Sequence, residues 1–114
     1  MKLPKIINAK YEDDKSTIIL SIFIPSEIIY FSGHFENSPV LPGIVQLDWT
    51  LHFANEYLGI KKEDFLHIEQ MKFARVITPG NNVFLRININ ENRLTFKYYN
   101  QKENFSNGKL KAKK

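Results

Sequence analysis

The chain has 114 residues, a formal net charge of +4 and no cysteine. That length suits a single domain over residues 1–114 with its own hydrophobic core. The missing thiols exclude disulfides, thiolate zinc sites and a cysteine nucleophile and fit a reducing compartment. Since the N-terminus shows no long apolar run, we expect no signal peptide, no membrane span and a location in the cytoplasm.

The first half of the chain predicts a strand followed by a long loop. Residues 16–24 are rich in Ile, which indicates a strand buried on both faces that stops at Pro25. Residues 33–43 contain two prolines and two glycines, so this segment is expected to be irregular. A loop of that length in a small domain is often functional.

A helix is predicted from Gly43 or Ile44 to Tyr57 or Leu58, and Gly59 is a good C-terminal stop. One helical stripe is apolar and consists of Ile44, Leu47, Leu51, Ala54 and Leu58. Since other faces of this helix are also apolar, we expect other elements to enclose it.

After the helix the apolar pattern changes to period two. The alternation predicts strands over 71–73, 83–90 and 94–99, with turns at 78–81 and 90–92. A last strand over 105–112 is expected to be interrupted at 107–108 by Asn-Gly. One helix followed by an antiparallel meander predicts an α+β fold with the helix against one sheet.

Three groups around the predicted helix start supply the parts of an acid–base site. His34 precedes a Pro-Gly turn, Asp48 lies beside the apolar stripe, and the helix start at Gly43 offers free backbone N–H groups. Together they provide a base, an acid and an anion-stabilising position. Each has a simpler interpretation, since His34 could be an ordinary loop residue, Asp48 could border solvent and Gly43 could serve the turn.

The other polar residues give weaker indications of function. Gln46 is interpreted as a helix-surface residue or as a hydrogen-bonding residue behind the site. The three histidines lack metal-ligand spacing, so we expect no metal and no organic cofactor.

Lysines 109, 111, 113 and 114 carry much of the excess charge and are interpreted as a solvated tail or as an attraction for an acidic partner. No aromatic residues are interleaved with them, so nucleic acid is not expected to bind.

The motif around the helix start resembles the active-site motif of hotdog-fold 3-hydroxyacyl-[acyl-carrier-protein] dehydratases. The resemblance rests on residues 30–35, YFSGHF, and residues 39–49, PVLPGIVQLDW, and it continues in residues 72–81, KFARVITPGN. The Gln-Leu-Asp-Trp ending is most similar to the ApeI-like branch, which is associated with aryl polyene biosynthesis. The match covers most of the chain, while the first fifteen residues agree only in general character.

The resemblance implies a hotdog fold, in which a curved antiparallel sheet wraps around one central helix. It implies dimers or higher assemblies with active sites at the interface, where His34 of one subunit works with Asp48 of its neighbour. It also implies an acyl-carrier-protein thioester as substrate. The implied catalytic residues are His34, Asp48 and Gly43. The implied substrate-binding residues are Phe35, Pro42, Ile44 and Gln46.

Two departures from the family pattern stand out. Glu36-Asn37 occupies the place where Pro-Gly commonly follows His-Phe, which adds a carboxylate near His34. The acid is Asp48, whereas one large branch has Glu.

The expected reaction is dehydration of a 3-hydroxyacyl thioester to the trans-2-enoyl thioester. The alternatives are a hotdog thioesterase and a non-catalytic acyl-binding subunit of a dehydratase heterodimer.

Overall fold

The protein is described by a computed structural model over residues 3–26 and 40–112, in which one antiparallel sheet packs against one helix. The elements are β1 Lys5–Glu12, β2 Thr17–Phe23, α1 Gly43–Leu58, a 3₁₀ turn Lys62–Phe65, β3 His67–Phe73, β4 Asn82–Asn90, β5 Arg93–Tyr99 and β6 Asn104–Lys111. The sheet order is β1-β2-β4-β5-β6-β3, and every neighbouring pair is antiparallel. Strand β3 therefore follows the helix in sequence but lies at the far edge of the sheet, beside β6.

The helix has the predicted limits. Gly59 ends it in the left-handed conformation, with φ 71°, and its N–H donates to the Asn55 carbonyl. Glycine adopts this conformation without a Cβ penalty. Most of the apolar stripe is buried, but Ile44 at its start is 68% exposed, so the other described elements of this chain do not enclose the helix completely. The exposed side of α1 continues from Ile44 through Asp48 to Glu56.

The core lies between α1 and the inner face of the sheet. Inward residues of β2, β4 and β5 alternate with more exposed ones, as the period-two pattern predicts. The prediction that β2 is fully buried on both faces is wrong, because Ile19 and Phe23 on its outer face are only half-buried. A sheet covered by a helix on one side leaves its other face partly open.

Two further features of the sheet differ from the sequence analysis. Strand β1 was not predicted; it is an edge strand whose residues are mostly exposed, so it shows no clear hydrophobic alternation. Strand β6 is continuous through Gly108 and is not interrupted there. A Cβ at Gly108 would lie 2.5 Å from the Phe96 ring, so this glycine makes room for a cross-strand aromatic residue.

No helix within residues 3–26 and 40–112 is long and apolar enough to cross a membrane.

Candidate active site

The first turn of α1 exposes free backbone donors. Pro42 precedes it in an extended conformation, with φ −63° and ψ 148°, and no side chain caps the helix. The N–H groups of Val45 and Gln46 both donate to the Pro42 carbonyl at 3.1 Å. Within the described part of the chain, the N–H groups of Gly43 and Ile44 have no acceptor. The positive end of the helix dipole is therefore available to a ligand that carries negative charge.

A cleft of about 490 Å³ opens at this helix start. It runs between the beginning of α1 and the segment that follows β3. The lining residues are Val40, Leu41, Pro42, Gly43, Gln46, Phe73, Ala74, Arg75 and Val76. Most of these are apolar, and the Arg75 guanidinium is paired with Glu103 at 3.0 Å. The cleft thus combines an apolar wall with backbone donors at one end, which suits a ligand with an apolar chain and a polar head.

Gln46 is a buried structural link on the cleft wall, with 3% of its surface exposed. Its Nε2 donates to the Leu41 carbonyl at 3.1 Å, and its Oε1 accepts from the Ser106 hydroxyl at 2.7 Å. The interpretation of Gln46 as a helix-surface residue is therefore wrong. These two bonds fix the chain just before α1 to strand β6, which positions the first helical turn.

Tyr98 extends this buried network and was missed by the sequence analysis. Its hydroxyl donates to the Gln46 main-chain carbonyl at 2.8 Å, and Thr50 Oγ1 lies 3.2 Å from the Tyr98 hydroxyl. Burial raises the pKa of Tyr98 far above its ordinary value, so the phenol stays neutral and donates. The available signal was a tyrosine at an inward position of β5, directly opposite Ser106 in register.

Asp48 lies on the exposed side of α1. It does not line the cleft, and no side chain in residues 3–26 or 40–112 forms a hydrogen bond or ion pair with its carboxylate. Ile44 lies one turn before it on the same face, and His52, which is 3.6 Å from Glu56, lies one turn after. A single chain therefore does not bring Asp48 to the donors of Gly43.

The remaining predicted site residues are distributed as follows. Pro42 lines the cleft, and Ile44 is exposed at the helix start. His34 and Phe35, like the Glu36-Asn37 departure, lie outside the described residues. The structure thus brings Pro42, Gly43 and Gln46 together and leaves Asp48 apart from them.

Comparisons with known proteins agree with this architecture. A family model for ApeI-like proteins, described as ApeI dehydratase, matches residues 10–109. The 3-hydroxyacyl-[acyl-carrier-protein] dehydratase FabZ of Buchnera aphidicola subsp. Acyrthosiphon pisum is 32% identical over 79 residues, covering 60% of this chain and 52% of that protein. The chain therefore spans about half the length of the curated relatives it matches.

Two solved structures match along nearly the whole chain. The dehydratase heterocomplex ApeI:P from Xenorhabdus doucetiae has a chain that is 32% identical, with a TM-score of 0.85 and coverage of 100% of both chains. An uncharacterised protein from Erwinia carotovora subsp. atroseptica is also 32% identical, with a TM-score of 0.79 and coverage of 98% of this chain and 97% of that one. The extent of the family match and this full-length agreement in fold establish that the chain has the hotdog fold and belongs to the ApeI-like dehydratase family.

Proposed function

We propose that this protein dehydrates a 3-hydroxyacyl thioester to the trans-2-enoyl thioester. The observation that carries the proposal is the helix start at Gly43, which lines an apolar cleft and whose N–H has no acceptor among the described residues. The same chain carries His34 and Asp48 in the spacing of the family motif. An acyl thioester has the matching chemistry, because its chain is apolar and its carbonyl oxygen gains negative charge when the α-proton is removed.

The reaction begins with neutral His34, which takes the proton from the α-carbon. Negative charge moves to the thioester oxygen, where the Gly43 N–H and the helix dipole stabilise it. One such donor is typically worth about 3 kcal/mol. As the double bond forms between the α- and β-carbons, the β-hydroxyl leaves and takes a proton from Asp48, so that the leaving group is water.

The position of Asp48 supports a site completed by two subunits. Its carboxylate is exposed on the face of α1 that also carries the exposed Ile44, away from the cleft. In a symmetric dimer the same surface is used by both subunits, so each Asp48 can serve the cleft of the other chain. Cover by a second subunit would also supply the apolar surroundings that keep a carboxylic acid protonated.

A second candidate is a role as one subunit of a heterodimer. The specific observation is the match to a chain of a solved complex that is itself a dehydratase heterocomplex. In that arrangement this protein gains activity only with a sister subunit. Inactivity of the purified chain combined with activity in the mixture would favour this candidate over a homodimer.

The substrate carrier is proposed to be an acidic carrier protein. Lys109 and Lys111 belong to β6 and are not part of a tail, while lysines 113 and 114 lie outside the described residues. Replacing all four by Ser should raise the KM for carrier-bound substrate several-fold at low salt, because long-range attraction is lost. The KM for the corresponding carrier-free N-acetylcysteamine thioester, which carries no phosphate, should change little.

Steady-state kinetics with both thioesters tests this prediction. A Lys61→Ser/Lys62→Ser variant is a control for lost positive charge elsewhere on the surface. An equal rise in KM for both thioesters would contradict docking of the carrier protein at β6. So would an equal rise in KM for carrier-bound substrate in the control variant.

The proposed reaction is tested by mass spectrometry of a 3-hydroxyacyl-carrier-protein thioester incubated with the purified protein. Dehydration removes the mass of one water molecule from the acyl group, and hydration of the enoyl thioester adds it. Release of free thiol instead would identify a thioesterase. No mass change in either direction with several acyl groups, by a folded protein and by its mixture with a sister subunit, would refute the proposal.

A further inference from the structure

The ring of Phe73 covers the backbone of Gly43. A Cβ added at Gly43 would lie 2.6 Å from Cζ and 2.9 Å from Cε1 of that ring, which is too close for an ordinary contact. Phe73 also lines the cleft, and 49% of its surface is exposed. The phenyl group therefore forms a wall of the cleft next to Gly43, the first residue of the helix.

The backbone at Phe73 is held in place while its side chain is only partly packed. Phe73 is the last residue of edge strand β3 and pairs with Ser106 of β6. The next two N–H groups, of Ala74 and Arg75, both donate to the Phe105 carbonyl, at 2.9 and 3.1 Å. A half-exposed ring on an anchored backbone can change rotamer without disturbing the sheet.

We propose that Phe73 is a specificity-determining residue that limits the bulk of the acyl group next to the reacting carbons. The inference rests on the proposed function. A thioester carbonyl that accepts the Gly43 N–H binds at the residue next to the Phe73 ring in the same cleft, so groups close to that carbonyl compete with the ring for space. Small or unbranched groups near the β-carbon fit beside the ring, and bulky ones must displace it.

The test compares two substrates with the wild type and Phe73→Ala. The substrates are the 3-hydroxybutyryl and 3-hydroxy-3-phenylpropanoyl thioesters of one carrier. Removing the ring should raise kcat/KM for the phenyl substrate relative to the butyryl substrate by about tenfold or more, the scale of size discrimination by apolar pockets. Phe84→Ala is the matched control, because Phe84 is an outer-face aromatic that packs on Tyr99 and does not line the cleft.

A double-mutant cycle gives an independent readout. Gly43→Ala pushes its Cβ into the ring, so it should change KM strongly in the wild type and little in the Phe73→Ala background. Equal effects of Gly43→Ala in both backgrounds, or an unchanged substrate ratio in Phe73→Ala, would overturn the inference. A different result would refute the proposed function, namely that the wild type dehydrates neither substrate.

Discussion

Replacing Asp48 by Asn is expected to lower kcat for dehydration by about a hundredfold to ten-thousandfold, the usual contribution of general acid–base catalysis. The amide keeps the size of the side chain but cannot protonate the departing hydroxyl. Within one chain Asp48 is exposed and has no partner among the described residues, so the substitution should leave the fold of the chain nearly unchanged. The measurement is the initial rate of enoyl thioester formation, with circular dichroism to check folding.

Glu56→Gln is the matched control for this substitution. Glu56 lies on the same exposed side of α1, two turns after Asp48, and its carboxylate lies 3.6 Å from His52 Nε2. It undergoes the same replacement of a carboxyl group by an amide, yet its kcat should stay within about twofold of the wild type, since surface ion pairs contribute little. Comparable rates for Asp48→Asn and the wild type would remove Asp48 from the mechanism.

Gly43→Pro is expected to reduce kcat by about a hundredfold to a thousandfold, which is the typical cost of losing one oxyanion donor. Proline removes the N–H but is well tolerated at the first position of a helix. Pro42 already has the extended conformation that a following proline requires. The helix should therefore form, and the loss should be seen in kcat more than in stability.

Gly43→Ala separates the donor from the steric effect. It adds a Cβ beside the Phe73 ring, as proline does, but it retains the N–H. The ring is the far end of a half-exposed side chain and can shift, so Gly43→Ala should keep kcat within about tenfold of the wild type, well above the Pro variant, even though its KM changes. Equal losses of kcat for the two variants would show that glycine is required at position 43 because Phe73 approaches closely, and not because of the N–H.

Local sequence signals predicted the helix and most of the sheet. The Pro-Gly start and Gly59 give the limits of α1, and the period-two runs locate β4 and β5. These signals are local because caps and alternation depend on nearby residues. Strand β1 escaped prediction because an exposed edge strand needs no apolar face.

The candidate site was predicted only in part. The spacing of the motif predicts His34, Gly43 and Asp48 as site residues, but periodicity does not say which part of a helical face a single chain covers. Ile44 belongs to the apolar stripe by its spacing, yet it shares the exposed face of Asp48. The hydrogen bonds of Gln46 with Ser106 and Tyr98 join residues far apart in sequence, so only the three-dimensional register reveals them.

Dehydration is proposed to take place at a site shared between two copies of this chain. The most direct measurement uses two inactive variants, His34→Ala and Asp48→Asn, co-expressed and assayed by the loss of water from a 3-hydroxyacyl thioester. Random pairing produces mixed dimers with one intact site each, so activity should return to about a quarter of the wild-type value. No recovery in verified mixed dimers, when the wild type is active, would contradict the shared site.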